Sequence, residues 1–315
     1  MYKIRKSPIG RFEAYQLLHQ ESGACIEILN GLGSSINDLK VLDQSGKLTS
    51  VISGYRSDGE IRNGHHSKFA GSKLSPFPNR IFAGKYVFEN QEYQLPINEI
   101  ELNNNLHAIL HSRYFDVVSS QASTGCANLI LNHSYLGTDK GFPFPYDIEI
   151  RFTYSVKETI IETVLINTGD TNMPIGDGWH PYFRFSDISK LQLQLGTAER
   201  VSSLAGNVTG NVHGFEAGKL IGEDQLDDCF LVKENKRFEV NLMDQSTGIN
   251  LTCWQESQKQ QYQYLQIYTP PNRKEIAVEP VTCPPNAFNS GAGLIVLKPG
   301  ESKNLKVGIA VKVLD

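Results

Sequence analysis

The chain has 315 residues, 40% of them apolar and 27 of them glycine, which is enough to bury a sizeable core and excludes disorder as the main state. Thirty Lys and Arg stand against 34 Asp and Glu, a net charge of -4, so no overall field would draw nucleic acid or an anionic membrane. The expected partner is a neutral or weakly charged small molecule.

No stretch approaches the roughly 18 consecutive apolar residues of a membrane span, and the basic start Met1-Tyr2-Lys3-Ile4-Arg5-Lys6 has no apolar run after it. Cys25, Cys126, Cys229, Cys253 and Cys283 are widely spaced and never form C-x-x-C, which fits neither a disulfide framework nor a zinc site. Together these features predict a cytoplasmic protein with reduced, mostly buried thiols and no metal. Three N-x-[ST] sequons, at Asn132, Asn207 and Asn250, would matter only in a secreted chain.

Along the chain, the first turn signal is Asp43-Gln44-Ser45-Gly46. One short helix is expected within His65–Leu74, and a second turn at Glu89-Asn90-Gln91-Glu92. From Ile148 to Val156, the residues Ile148, Ile150, Phe152, Tyr154 and Val156 alternate with Glu149, Arg151, Thr153 and Ser155, the pattern of a half-buried antiparallel strand. After a turn at Asn167-Thr168-Gly169-Asp170 the alternation returns in 191–195 and 262–268. It returns again in 307–313, beyond the turn Lys298-Pro299-Gly300-Glu301. Each turn places Gly, Asn or Asp where positive φ or side-chain capping is needed. No segment keeps an i, i+3, i+4, i+7 apolar pattern over three turns, and Pro and Gly interrupt too often for long helices.

Many short strands predict an all-β protein, a large antiparallel sandwich with few short helices. The length alone suggests about two domains. With no linker or composition shift, residues 1–315 are nevertheless expected to form one. A propeller would need a blade-length repeat, and there is none.

Five polar stretches stand out. Pro76-Phe77-Pro78-Asn79-Arg80 fixes an arginine after a proline-bounded turn. Asn105-Leu106-His107 is followed by His111, but H-A-I-L-H lacks the acidic residue of a zinc-binding H-E-x-x-H. Gly176-Asp177-Gly178-Trp179-His180-Pro181-Tyr182-Phe183 embeds one imidazole among aromatics. Gln225-Leu226-Asp227-Asp228-Cys229-Phe230 carries an acidic pair. Glu279 ends an apolar strand before Pro280, where burial would raise its pKa above about 4.3 and make it the strongest candidate base. Most arginines lie on surfaces, and an aromatic run on a strand is more often core than binding surface. Even so, Arg, two His, Asp and Glu, without a phosphate loop or nucleophile elbow, suit binding and proton transfer on a hydroxyl-rich substrate.

These stretches, in this order, resemble the aldose 1-epimerase (mutarotase) family. The resemblance runs from Asn79-Arg80-Ile81 through Asn105-Leu106-His107, His180-Pro181-Tyr182-Phe183 and Leu226-Asp227-Asp228-Cys229-Phe230. It continues in Glu279-Pro280 through Pro285-Asn286-Ala287-Phe288 and ends at Lys298-Pro299-Gly300-Glu301. It implies the galactose mutarotase-like supersandwich and interconversion of the α and β anomers of a free aldohexose. By motif position it implies Glu279 as general base and His180 as general acid, with Arg80, His107 and Asp227 holding sugar oxygens. Asp227 is preferred to Asp228 because the family's acidic residue stands three places before the aromatic.

Asn79 adjoins this set, and Trp179 or Tyr182 could supply an apolar face for the ring. A His near its ordinary pKa of about 6.5 could donate at neutral pH. No redox or group-transfer step occurs, so no cofactor is expected. The expected partner is a free sugar, and the expected assembly a monomer or homodimer. Two departures from the family pattern are Ala108, where relatives often have Gly, and Asn286, where they often have Asp. A non-catalytic sugar-binding protein is the first rival. A glycoside hydrolase using Asp227 and Glu279 is the second.

Overall fold

The computed structural model describes residues 1–201, 208–211, 215, 217–233 and 235–313; the sequon at Asn207 lies outside them. Two large antiparallel sheets dominate. The nine-stranded sheet runs Asp116–Ala122, Ala127–Tyr135, Tyr146–Tyr154, Glu158–Asn167, Ser302–Val313, Ile249–Gln255, Phe238–Asp244, Gln192–Leu195 and Lys219–Leu220. The eight-stranded sheet runs Val208–Asn211, Ala198–Val201, Asp227–Val232, Tyr264–Tyr268, Glu275–Val281, Gly178–His180 and Ser72–Leu74, with Tyr182–Arg184 also paired to Glu275–Val281. A five-stranded sheet built from residues 2–50 completes the main architecture, the large β-sandwich expected from the sequence.

The period-two pattern does what it predicts. In Tyr146–Tyr154 the alternate residues Tyr146, Ile148, Ile150, Phe152 and Tyr154 are buried. The strand ends two residues before Val156, which joins the following turn while packing on the core. Burying these side chains against Trp179, Leu265, Ile267, Ile276 and Val278 of the other sheet forms the main core. Apolar burial of this kind contributes about 25 cal/mol per Å² removed from water. All four turn signals lie at strand connections, and Glu89 and Asn90 take φ of 49° and 65° between Lys85–Phe88 and Gln91–Gln94. The five cysteines are free, and four of them are buried.

The helix is displaced from its expected place: it spans Asp58–Lys68, and Ser72–Leu74 is a strand. The Ser57 hydroxyl accepts from the Glu60 N–H at 3.2 Å, and the Glu60 carboxylate reaches back to the Arg56 N–H at 2.7 Å, so a capping arrangement starts the helix early. Phe69, left-handed at φ 50°, ends it. Ile61 of this helix packs with Leu29, Tyr55, Tyr182 and Ala277, so the helix covers part of the eight-stranded sheet's outer face. No helix among the described residues is long and apolar enough to cross a membrane.

Candidate active site

Strand register assembles the site. The pairs Gly178↔Val281 and Tyr182↔Ala277 place His180 opposite Glu279. The Val278 N–H donates to the Pro181 carbonyl at 3.4 Å, but Pro181 has no N–H to return, and neither has Pro280 opposite Trp179. His180 and Glu279 therefore meet between two proline-weakened positions, at the kind of cross-strand site where side chains approach most closely. His180 Nε2 lies 3.5 Å from Glu279 Oε1. One strand further, Gln266 faces Glu279; beyond it Asp227 faces Tyr268, and Gln266 Nε2 donates to Asp227 Oδ1 at 2.8 Å.

The opposite wall comes from the short ladder of Arg80–Phe82 with Asn104–Leu106. Asn79 and His107 both turn through φ 59°, and the His107 N–H donates to the Asn79 carbonyl at 2.9 Å. The Asn79 N–H donates to His107 Nδ1 at 3.1 Å, so Nδ1 is an acceptor and the ring proton is assigned to Nε2. Ala108 follows at φ 54°, a conformation that costs a non-glycine residue about 1–2 kcal/mol. Arg80 is clamped by Glu99, with Nε to Oε2 at 2.9 Å and Nη2 to Oε1 at 2.7 Å. Ser67, Lys68 and Phe69, at the end of the helix, close the third side. The resulting cleft is about 280 Å³.

Seven of the eight residues expected from the sequence line it: Asn79, Arg80, His107, His180, Tyr182, Asp227 and Glu279. Trp179 does not. It is 1% exposed and points into the core, its ring 6.0 Å from that of Phe152 across the sandwich. Successive strand residues face opposite ways, so the neighbour of an inward-facing His180 is turned out of the cleft. Tyr182, two residues on, shares the His180 face, with ring centroids 4.8 Å apart. Asp228 likewise faces away from Asp227 and pairs with Arg200 at 2.9 Å.

His111 stands behind the wall, its Nδ1 3.1 Å from His65 Nε2, while His65 Nδ1 is 3.0 Å from the Tyr55 hydroxyl. Asn286 holds the Arg80 strand from outside: its N–H donates to the Arg80 carbonyl at 2.7 Å, and its Oδ1 accepts from the Phe82 N–H at 3.3 Å. Sequence reasoning missed Glu99, Gln266, Tyr268 and the helix end. The alternation Tyr264, Gln266, Tyr268 held a signal for two of these, whereas nothing local marked Glu99 as the partner of Arg80.

Burial dominates the electrostatics. It raises the Glu279 carboxyl well above its usual range, Asp227 adds to that, and Arg80 offsets part of it. It pushes His180 down to about 4, so His180 is not the freely titrating imidazole expected from the sequence. It also drives His107 well down, helped by His180 and Arg80, which keeps His107 neutral. Burial raises Asp227 too, against the pull of Arg80. Burial works to raise Glu99, but the hydrogen bonds from Arg80 and Asn104 hold it below its ordinary range. Chemically, the cleft offers an imidazole–carboxylate pair, fixed donors in Arg80 and His107 Nε2–H, and an acceptor in Asp227. Among the described residues, no group of three or more His, Cys, Asp or Glu could hold a metal ion.

A family model described as aldose 1-epimerase matches residues 15–310. The chain is 29% identical over 248 residues to the uncharacterized protein YihR of Escherichia coli K12, covering 75% of this chain and 77% of that one. Among solved structures it is similar to a galactose mutarotase-like protein from Clostridium acetobutylicum, with a TM-score of 0.84, 19% identity and 99% of each chain covered. It is also similar to galactose 1-epimerase from Lactobacillus acidophilus NCFM, with a TM-score of 0.79 and 16% identity over 100% of this chain and 99% of that one. At these identities the structural likeness is one of fold.

Proposed function

The chain belongs to the aldose 1-epimerase family, and from that premise we propose that it interconverts the α and β anomers of a free aldohexose, with Glu279 as base and His180 as acid. The observation that carries this reading is the buried His180–Glu279 pair, 3.5 Å apart on one face of the cleft. Anomer exchange needs two proton transfers at once: the C1 hydroxyl loses a proton while the ring oxygen gains one. Burial disfavours a lone imidazolium and a lone carboxylate, so each charge depends on the other beside it.

In the reacting form His180 is protonated and Glu279 ionised: Glu279 takes the C1 hydroxyl proton and the O–H electron pair becomes the second C=O bond. The C1–ring oxygen bond breaks, and the oxygen keeps its electrons and receives the His180 proton. After rotation about C1–C2 the two residues exchange roles and the ring closes on the other face. Each positioned transfer is worth about 10²–10⁴-fold. In this scheme Arg80, held by Glu99, and neutral His107 donate to sugar oxygens, Asn79 orients both, and Asp227 accepts from hydroxyls. Tyr182 provides an apolar wall. We also read residues 1–315 as one unit, since the cleft draws on positions from 67 to 279.

The test is to dissolve crystalline α-D-glucose and α-D-galactose and follow optical rotation. At least one is expected to relax faster with the protein than in buffer. If no common aldose does, the proposal fails. Sugar binding without faster relaxation would make the chain a binding protein, and cleavage of an aryl glycoside would make it a hydrolase.

A further inference from the structure

Beneath the cleft, on the sheet face that meets the core, lies a group of charges that the proposed chemistry does not use. Lys73 and Asp177 are both fully buried and form an ion pair. Lys73 Nζ also donates to Thr163 Oγ1 of the opposite sheet at 3.2 Å and lies 4.5 Å from the Trp179 ring centroid. The Tyr262 hydroxyl donates to Asp177 Oδ1 at 2.6 Å, while Asp177 Oδ2 has no partner. Burial pushes Lys73 down to about 8 and raises Asp177, so each charge is held against its own preference.

Such a pair is poorly explained by stability, because well-packed neutral residues of similar volume are often as stable or more so. Its position explains it better. The strand Gly178–His180 has only three residues, and prolines weaken its ladder to Glu275–Val281, where Gly178↔Val281 is the sole pairing in register. On its other side, Lys73 is the register partner of Trp179, and Asp177 immediately precedes the strand. The ion pair therefore holds the strand from below, with Lys73 over the Trp179 ring and Asp177 at the residue before the strand. The Asp177 backbone is pinned in addition: its N–H donates to Thr282 Oγ1 at 2.9 Å, and its carbonyl accepts from the Thr282 N–H at 2.8 Å. Rolling this strand about its axis would swing His180 away from Glu279, and the grip on Trp179 opposes that roll.

We propose that Lys73, Asp177 and Tyr262 are positioning residues, which lock the strand Gly178–His180 so that the His180 imidazole stands beside Glu279. The kinetic part rests on reading His180 and Glu279 as acid and base. The test is the neutral double variant Lys73→Met/Asp177→Asn. It is expected to unfold at or above the wild-type midpoint, with KM within about threefold. Its kcat should fall about tenfold or more, since an ångström of misplacement costs on the order of 10²-fold. The ¹⁵N signals of the His180 ring should shift as well. A kcat within about twofold of wild type, with unchanged His180 signals, would overturn the proposal.

Should the double variant fail to fold, Tyr262→Phe removes a single oxygen from the network. A lower kcat at unchanged KM supports the positioning role, and an unchanged kcat refutes it. If the wild-type protein accelerates no aldose, the functional reading falls separately, and the His180 ring signals alone decide the positioning claim.

Discussion

Replacing Glu279 by Gln is expected to abolish activity while stabilising the fold. Glu279 is 3% exposed, and His180 Nε2 stands 3.5 Å from its Oε1. Burial, then repulsion from Asp227, raises its folded-state pKa above the ordinary value of 4.5. The folded protein therefore holds this proton more tightly than the unfolded chain does. The stability it contributes is complete below pH 4.5 and is lost as pH rises through the folded value. Gln at 279 has no such titration, so its advantage over Glu grows with pH.

An incompletely compensated buried polar group costs about 1–3 kcal/mol. At about 2.1 cal/mol/K of unfolding entropy per residue, 315 residues convert this to a rise in Tm of about 1.5–4.5 °C. Urea unfolding of wild type and variant at pH 5 and pH 8, alongside polarimetry, measures both effects. Activity should fall by about 10²–10⁴-fold. The reasoning is refuted if the variant's stability relative to wild type is the same at the two pH values, or if it still accelerates anomer exchange.

Three further outcomes are expected. Trp179→Ala should destabilise by about 3–5 kcal/mol in urea unfolding, with KM within about twofold; a stable variant that has lost sugar affinity would put the indole in the cleft after all. Glu99→Ala, by releasing Arg80, should raise KM about tenfold, roughly 1.4 kcal/mol. Arg80→Ala should then add little, and full additivity in a double-mutant cycle would contradict the clamp. Burial pushes His65 down to about 4 and His111 to about 3. Their folded pKa values lie below the unfolded 6.5, so stability is lost as pH falls from about 6.5 towards those values, by up to roughly 3 kcal/mol for His65. His65→Gln should flatten this loss between pH 7 and 4.5, and an equal loss in both proteins would remove His65 as its source.

The sandwich was legible because half-buried strands write their geometry as alternation, and Ile148 to Tyr154 follow it strictly. The same rule, applied to three residues, separates Trp179 from His180, since neighbours on a strand cannot share a face. The helix was legible as well, but at Ser57 and Glu60 rather than within His65–Leu74, because cap chemistry and not apolar periodicity marks its start. Gln266 could not be found this way. It enters the cleft through the register Gln266↔Glu279, and register between segments is set by packing that no local pattern records. The Arg80–Glu99 clamp and the Lys73–Asp177 pair likewise join residues 19 and 104 positions apart. The shift of His180 to about 4 depends on burial, which appears only when the sheet is assembled.

The central claim is that His180 and Glu279 together exchange the protons of anomer interconversion. It is tested most directly by exchange NMR on an aldose labelled with ¹³C at C1, held at anomeric equilibrium. Saturating the α signal should transfer to the β signal in the presence of wild-type protein. Transfer should fall to the rate of buffer alone with Glu279→Gln and with His180→Asn, while both variants still bind the sugar within about tenfold of wild type. Undiminished transfer with either variant would contradict the claim.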